Sequence, residues 1–109
     1  MQIRKHLSFE KRTIKFINDY TALLESYSSW LGSKVIKKLE FLQAVNRINA
    51  CLTNFVACKI IYKRTKNSIY KKQLKSMIKA IHADKKLMKS IIGQNRNYYL
   101  YIFTNNLSR

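Results

Sequence analysis

The chain has 109 residues, with 22 Lys and Arg against 5 Asp and Glu, for a formal charge of +17 and a pI near 10.2. The length is that of one domain, spanning 1–109, and 47 % apolar residues are enough for a core. These figures exclude a multidomain enzyme, a collagen-like chain and an acidic nucleic-acid mimic. They favour a polyanionic partner (RNA, DNA or an anionic membrane surface), because so much like charge in a small body repels itself unless something neutralises it.

With no Pro and 2 Gly, the chain lacks the turn formers of a sandwich or barrel, and long helices are expected. Ser8 is a suitable N-cap, with Glu10 in the first turn to meet the helix dipole. Phe9, Thr13, Phe16, Ile17, Tyr20, Leu24, Tyr27 and Trp30 then fall at steps of three and four, and Gly32 supplies a stop. The first helix is predicted over about 9–31. Ser33 is the expected cap of a second, running from about 34 to 64. Its stripe is Leu39, Leu42, Val45, Ile48, Leu52, Phe55 and Tyr62, widened by Phe41 and Val56.

Ser68 is the expected N-cap of a third helix, whose apolar arc is Tyr70, Leu74, Met77, Ile81, Met88 and Ile91. Gly93 is the expected stop, and Asp84 could cap a restart with a kink near His82. Tyr98 to Phe103 has strong β propensity. No second strand exists for it to pair with, so a short fourth helix carrying Tyr99, Ile102, Phe103 and Leu107 is preferred. The expected fold is all-α, an antiparallel helical bundle of three long helices and a short C-terminal fourth helix.

Cys51 and Cys58 lie seven apart, about 10 Å along a helix, too far for a disulfide. They read as small apolar residues of a reducing compartment. His6 and His82 add too few ligands for a zinc site. Five carboxylates give paired acid–base chemistry little to work with, and there is no Gly-rich phosphate loop. Neither an enzyme nor a cofactor nor a small-molecule substrate is expected. The uncharged stretch Ile48 to Cys58 is too short and polar to span a bilayer. Met1 to Lys5 is followed by no apolar run, so no secretory signal is expected. A membrane-surface role is disfavoured because the apolar stripes are needed for packing.

The charge is unevenly placed. Residues 1–40 carry a net +4 and residues 41–109 a net +13, with eleven cations between Lys59 and Lys89 against Asp84 alone. On the third helix Lys71, Lys72, Lys75, Lys79, His82, Lys86 and Lys89 share an arc of roughly 100° along roughly 25 Å. Lys63, Arg64, Lys66 and Ser68 flank it at the preceding turn. Ordinary solubilising faces mix Glu with Lys, and this one does not. Spaced cations on a rigid helix suit a phosphate backbone, where counterion release drives binding. Tyr70, Tyr98, Tyr99 and Tyr101 are candidates for stacking on bases, with packing at core edges the plainer role.

Three stretches carry a family likeness: Gly32-Ser33 before the long helix, Arg47-Ile48-Asn49 within it, and Leu87-Met88-Lys89 through Tyr99, Ile102-Phe103, Leu107 and Arg109. Ser68 with Lys71-Lys72-Gln73-Leu74 adds a fourth, weaker one. Together these resemble the small-subunit ribosomal protein S-fifteen family over about 75 residues. The likeness implies a four-helix bundle that binds helical ribosomal RNA and touches neighbouring ribosomal proteins. Two departures stand out: Thr65-Lys66-Asn67 replaces the family's Asp-His-His, and Ser90 replaces its aromatic. Arg47-Ile48-Asn49-Ala50, Tyr70-Lys71-Lys72 and Lys85-Lys86-Leu87 also resemble the large-subunit L-twenty family, without its Arg-rich extension. Lys, Ile, Asn, Tyr and Phe make up 50 of the residues, a bias typical of AT-rich genomes. The expected location is therefore a ribosome, in a mitochondrion or other organelle or in the cytoplasm of a low-GC bacterium. A protein-binding module resembling a bacteriocin immunity protein and a plasmid or phage DNA-binding accessory protein are the alternatives. The first would use Tyr98 to Leu107 as its contact, and the second would dimerise.

Overall fold

The structure, a computed structural model, describes residues 8–107; Met1 to Lys5, His6 and Arg109 lie outside them. The described residues form three α-helices, α1 (Phe9–Leu31), α2 (Lys38–Thr65) and α3 (Ser68–Leu107), with a 3₁₀ turn at Gly32–Lys34 and no strand. The all-α expectation holds, and the count of four helices does not.

The first helix begins and ends as its sequence directs. The Lys11 amide donates to Ser8 Oγ at 3.2 Å, and Glu10 sits in the first turn. The helix stops where Gly32 adopts φ +59°, a left-handed value that glycine reaches without a Cβ clash. Thr13, Ile17, Leu24 and Leu31 form the buried face, flanked by half-buried Phe9, Phe16, Tyr20 and Tyr27. Trp30, expected inside, is 71 % exposed. Leu31 lies one residue on, turned by ~100°, and takes the inward position.

The second helix starts later than expected. Val35, Ile36 and Lys37 are not helical, and the cap is Lys37 in the left-handed region at φ 55°, without a side-chain bond from Ser33. The reason is Asn95 of α3, which is fully buried. Its Oδ1 accepts the Ile36 amide at 2.7 Å, and its Nδ2 donates to the carbonyls of Ile36 at 3.0 Å and Ile91 at 2.8 Å. This bracket satisfies Ile36 outside any helix. The buried stripe of α2 is Phe41, Ala44, Ile48, Leu52, Phe55 and Cys58. Leu39, Leu42 and Val56 of the expected stripe are 63, 42 and 41 % exposed. Small Ala44 and Cys58 on the chosen face allow close approach to α3.

Only Lys66 and Asn67 separate α2 from α3. The cap of α3 is Asn67, whose Oδ1 accepts the Ile69 amide at 3.1 Å, rather than Ser68, which is already helical. α2 runs back along α3: Cys58 meets Tyr70, Cys51 meets Met77, Arg47 meets Asp84, and Ile36 meets Asn95. Both thiols are free, and the Cys51 pKa is raised by burial and then by the charge of Asp84. α1 runs with α3, since Phe9 meets His82, Phe16 meets Lys89, and Tyr27 meets Tyr99.

No stop or separate fourth helix interrupts α3. It continues through Asp84 and Gly93 for 40 residues, about 60 Å at 1.5 Å per residue. Asp84 faces α2 instead of capping a restart, and Gly93 is tolerated in mid-helix because tertiary packing outweighs a propensity loss of ~1 kcal/mol. The segment 98–103 stays helical because Tyr99 packs against Tyr27 and Trp30 at 6.1 and 5.8 Å between ring centroids. Phe103, one turn on, stacks with Tyr99 at 6.1 Å. The core joins Ile17 and Leu24 of α1, Phe41, Ile48 and Phe55 of α2, and Ile81, Met88 and Ile91 of α3. The whole measures 66 × 40 × 16 Å, so the helices form a thin slab with two broad faces.

Candidate nucleic-acid interface

The core residues of α3 set the direction of everything else on it. Ile81, Met88, Ile91 and Asn95 point into the protein, and the positions away from them are basic. Lys71, Lys72, Lys75, Lys79, His82, Lys86 and Lys89 are all exposed. Lys63 and Arg64 lie exposed in the last turn of α2, Lys66 is its left-handed cap at φ 56°, and Ser68 opens α3. Because α3 is unbroken, the seven from Lys71 to Lys89 stand on one helix, with the α2–α3 turn at its start.

The carboxylates are placed elsewhere. Asp84, the single acid between Lys59 and Lys89, points toward α2. There it accepts from Arg47, whose Nη2 donates to Oδ1 at 2.7 Å and whose Nε is shared between Oδ1 at 3.1 Å and Oδ2 at 3.2 Å. The pair raises the Arg47 pKa further, through the hydrogen bond first and the charge second. Asp19 holds Lys15 at 2.7 Å on α1, and Glu10 holds Lys59 at 3.3 Å. Arg47, one of the residues behind the family likeness, is therefore a structural partner of Asp84.

Beside the basic rod lies an open groove of ≈ 650 Å³ between α1 and α3. Phe16, Lys79, His82, Lys85, Lys86 and Lys89 line it. Lys85 Nζ stands 5.0 Å from the Phe9 ring centroid and 5.4 Å from that of Phe16, and Lys89 Nζ is 5.8 Å from Phe16. Burial, then the charges of Arg12 and Lys89, lower the Lys85 pKa. Arg12 as a contributor of charge, and Lys85 and Phe16 as groove residues, are absent from the sequence reading. Phe16 fits the same three-and-four spacing as the core, so its position at the rim is a tertiary outcome. Lys85 sits ~40° outside the basic arc at 100° per residue. Its closeness to Phe9 and Phe16 of α1 was the only signal, and that comes from folding.

The stacking candidates divide. Tyr70, Tyr98 and Tyr99 are half-buried, with Tyr99 engaged by Tyr27 and Trp30, while Tyr101 is 63 % exposed. Trp30, Tyr99, Ile102 and Phe103 line a second groove of ≈ 430 Å³ near the C-terminal end of α3. Among the described residues no group of three or more His, Cys, Asp or Glu could hold a metal ion. No helix there is long and apolar enough to cross a membrane. No family model matches this chain, and neither does any curated protein or solved structure.

Proposed function

We propose that the protein is a structural RNA-binding protein of ribosomal type, which neutralises RNA phosphates with the outer face of α3 and the α2–α3 turn. One observation carries this reading: the eleven named contact positions, Lys63 to Lys89, are all exposed. The acid that could have mixed with them is spent on Arg47 across the interface. A face so composed is costly for the free chain and gains from a polyanion by counterion release. A straight helix of cations tracks backbone shape, which is how A-form RNA is read, since its deep major groove hides base edges. The ribosomal assignment, the neighbouring ribosomal proteins as further partners and the organellar or low-GC bacterial setting rest on the family likeness and the AT-rich bias.

The protein-binding alternative draws on the exposed groove at Trp30, Tyr99 and Phe103. A salt titration of binding to structured ribosomal RNA, with duplex DNA and unrelated RNA as competitors, separates the readings. The RNA reading expects a steep salt slope and a retained preference for one RNA. Equal affinity for every polyanion contradicts it.

A further inference from the structure

The cations of the α1–α3 groove are arranged differently from those along the rest of α3. On the outer face they are spread at about one per turn, each free to extend into water. In the groove, Lys85 and Lys89 of α3 both lean over the ring of Phe16 from α1, at 5.4 and 5.8 Å. Phe16 is itself held by a stacked contact with Tyr20 at 4.3 Å. Lys85 also sits over Phe9. Attraction to the aromatic faces thus fixes two ammonium groups that would otherwise move apart.

Arg12 stands close enough for its charge to act on Lys85, so both helices contribute charge. No carboxylate lines the groove, and Asp84, next in sequence to Lys85, pairs with Arg47 of α2 instead. A partly buried Lys85 beside exposed Lys79, Lys86 and Lys89, with no carboxylate among them, forms an anion receptor whose mutual repulsion a bound anion relieves.

We propose that this groove is a discrete phosphate-binding site, taking closely spaced phosphate groups between Lys79, Lys85, Lys86 and Lys89 above the ring of Phe16. The inference deepens the RNA reading and rests on it for its natural ligand, a tight turn of RNA backbone. The same chemistry would hold a free polyphosphate.

The test is calorimetric titration of the full chain with inorganic tripolyphosphate and, separately, with a structured RNA hairpin, at constant ionic strength. Wild type is expected to show one saturable tripolyphosphate site. Phe16→Leu leaves the net charge unchanged yet removes the ring, and should weaken that site about tenfold, the worth of ~1.4 kcal/mol of cation–π positioning. Phe16→Tyr should retain it, and Lys85→Gln should weaken it at least as much as Phe16→Leu. Lys71→Gln/Lys72→Gln/Lys75→Gln, off the groove, should weaken RNA while leaving tripolyphosphate within about twofold.

Circular dichroism checks that Phe16→Leu retains its helices; Lys85→Gln alters a partly exposed side chain and gives a second, independent reading. Non-saturable tripolyphosphate binding, or binding unchanged in both Phe16→Leu and Lys85→Gln, overturns the site even if RNA still binds. A Phe16-dependent tripolyphosphate site in a chain that binds no RNA supports the groove, overturns the RNA reading, and makes a free polyphosphate the ligand.

Discussion

The outer faces of α2 and α3 start from the same helical geometry and end with opposite chemistry. Each helix buries one stripe against the other. What α3 leaves outside is Lys71, Lys75, Lys79, His82, Lys86 and Lys89. What α2 leaves outside between its end turns includes Leu42, Asn46, Ala50, Val56, Ala57 and Ile60, and from Ile48 to Cys58 it carries no charge at all. In the middle of the two helices, Arg47 of α2 and Asp84 of α3 are turned toward each other and paired at 2.7 Å, and the other exposed charges of α2 lie in its end turns, at Lys38, Glu40, Lys63 and Arg64. Amphipathicity decides which side of a helix is buried. The composition of the remaining side decides what it can meet, and here the two solvent faces differ in charge.

That contrast depends on the rotation of α3 about its own axis, and Asn95 is the residue that fixes it against the chain entering α2. Asn95→Ala removes three hydrogen bonds from a fully buried site. It should cost ~1–3 kcal/mol, since the half-buried Ile36 amide and carbonyl lose their partners and a fully buried side chain is removed. Urea denaturation measures it. A loss under ~0.5 kcal/mol would mean that packing alone sets the register.

A smaller effect probes the continuity of the basic rod. A Cβ at Gly93 would meet nothing within 4 Å, so Gly93→Ala should stabilise the chain by ~0.5–1 kcal/mol through helix propensity. If α3 broke at Gly93, the same substitution would destabilise instead.

The smallest effect concerns Lys85, where the two helices bring cations together. Its pKa is lowered, by burial first and then by Arg12 and Lys89, so the protonated form is disfavoured in the folded chain relative to the unfolded one. The penalty is fully present below the folded pKa and disappears as pH rises toward the unfolded value of 10.5. Lys85→Met should therefore raise the Tm at pH 7 by about 1–2 °C, and the advantage over wild type should vanish above pH ~10.5. A difference constant across that window would show that the change acts through packing.

How far the sequence disclosed this arrangement follows from what each feature depends on. The first helix was legible to the residue, because Ser8, Glu10 and Gly32 are local signals that nothing distant overrides. The arc of cations on α3 was legible too, since it needs only a helical period. The stripe of α2 was legible in part: Phe41, Ile48, Leu52 and Phe55 are buried as expected, while Leu39, Leu42 and Val56 are exposed and Ala44 is buried in their place. Apolar residues lie on both sides of that stripe, so periodicity cannot fix its edges, whereas contact with α3 can. The start of α2 was missed because Asn95, 59 residues from Ile36, holds the loop open. The end of α3 was missed because Gly93 and the β-favouring tyrosines are local arguments, outweighed by Tyr99 packing on Tyr27 and Trp30. The groove was invisible for the same reason: Phe16 and Lys85 become neighbours only when α1 lies along α3.

The central claim is that RNA affinity resides in where the charge stands and not in how much there is. Lys71→Gln/Lys72→Gln/Lys75→Gln on α3 and Asn46→Glu/Ala50→Glu/Ala57→Glu on α2 each lower the formal charge of +17 by three, and all six positions are exposed. Binding of both variants to the same structured ribosomal RNA, at one salt concentration near 0.1 M, isolates position from amount. The account predicts that the α3 variant loses affinity by about tenfold or more, while the α2 variant stays within about threefold of wild type. Equal losses in the two variants would contradict it.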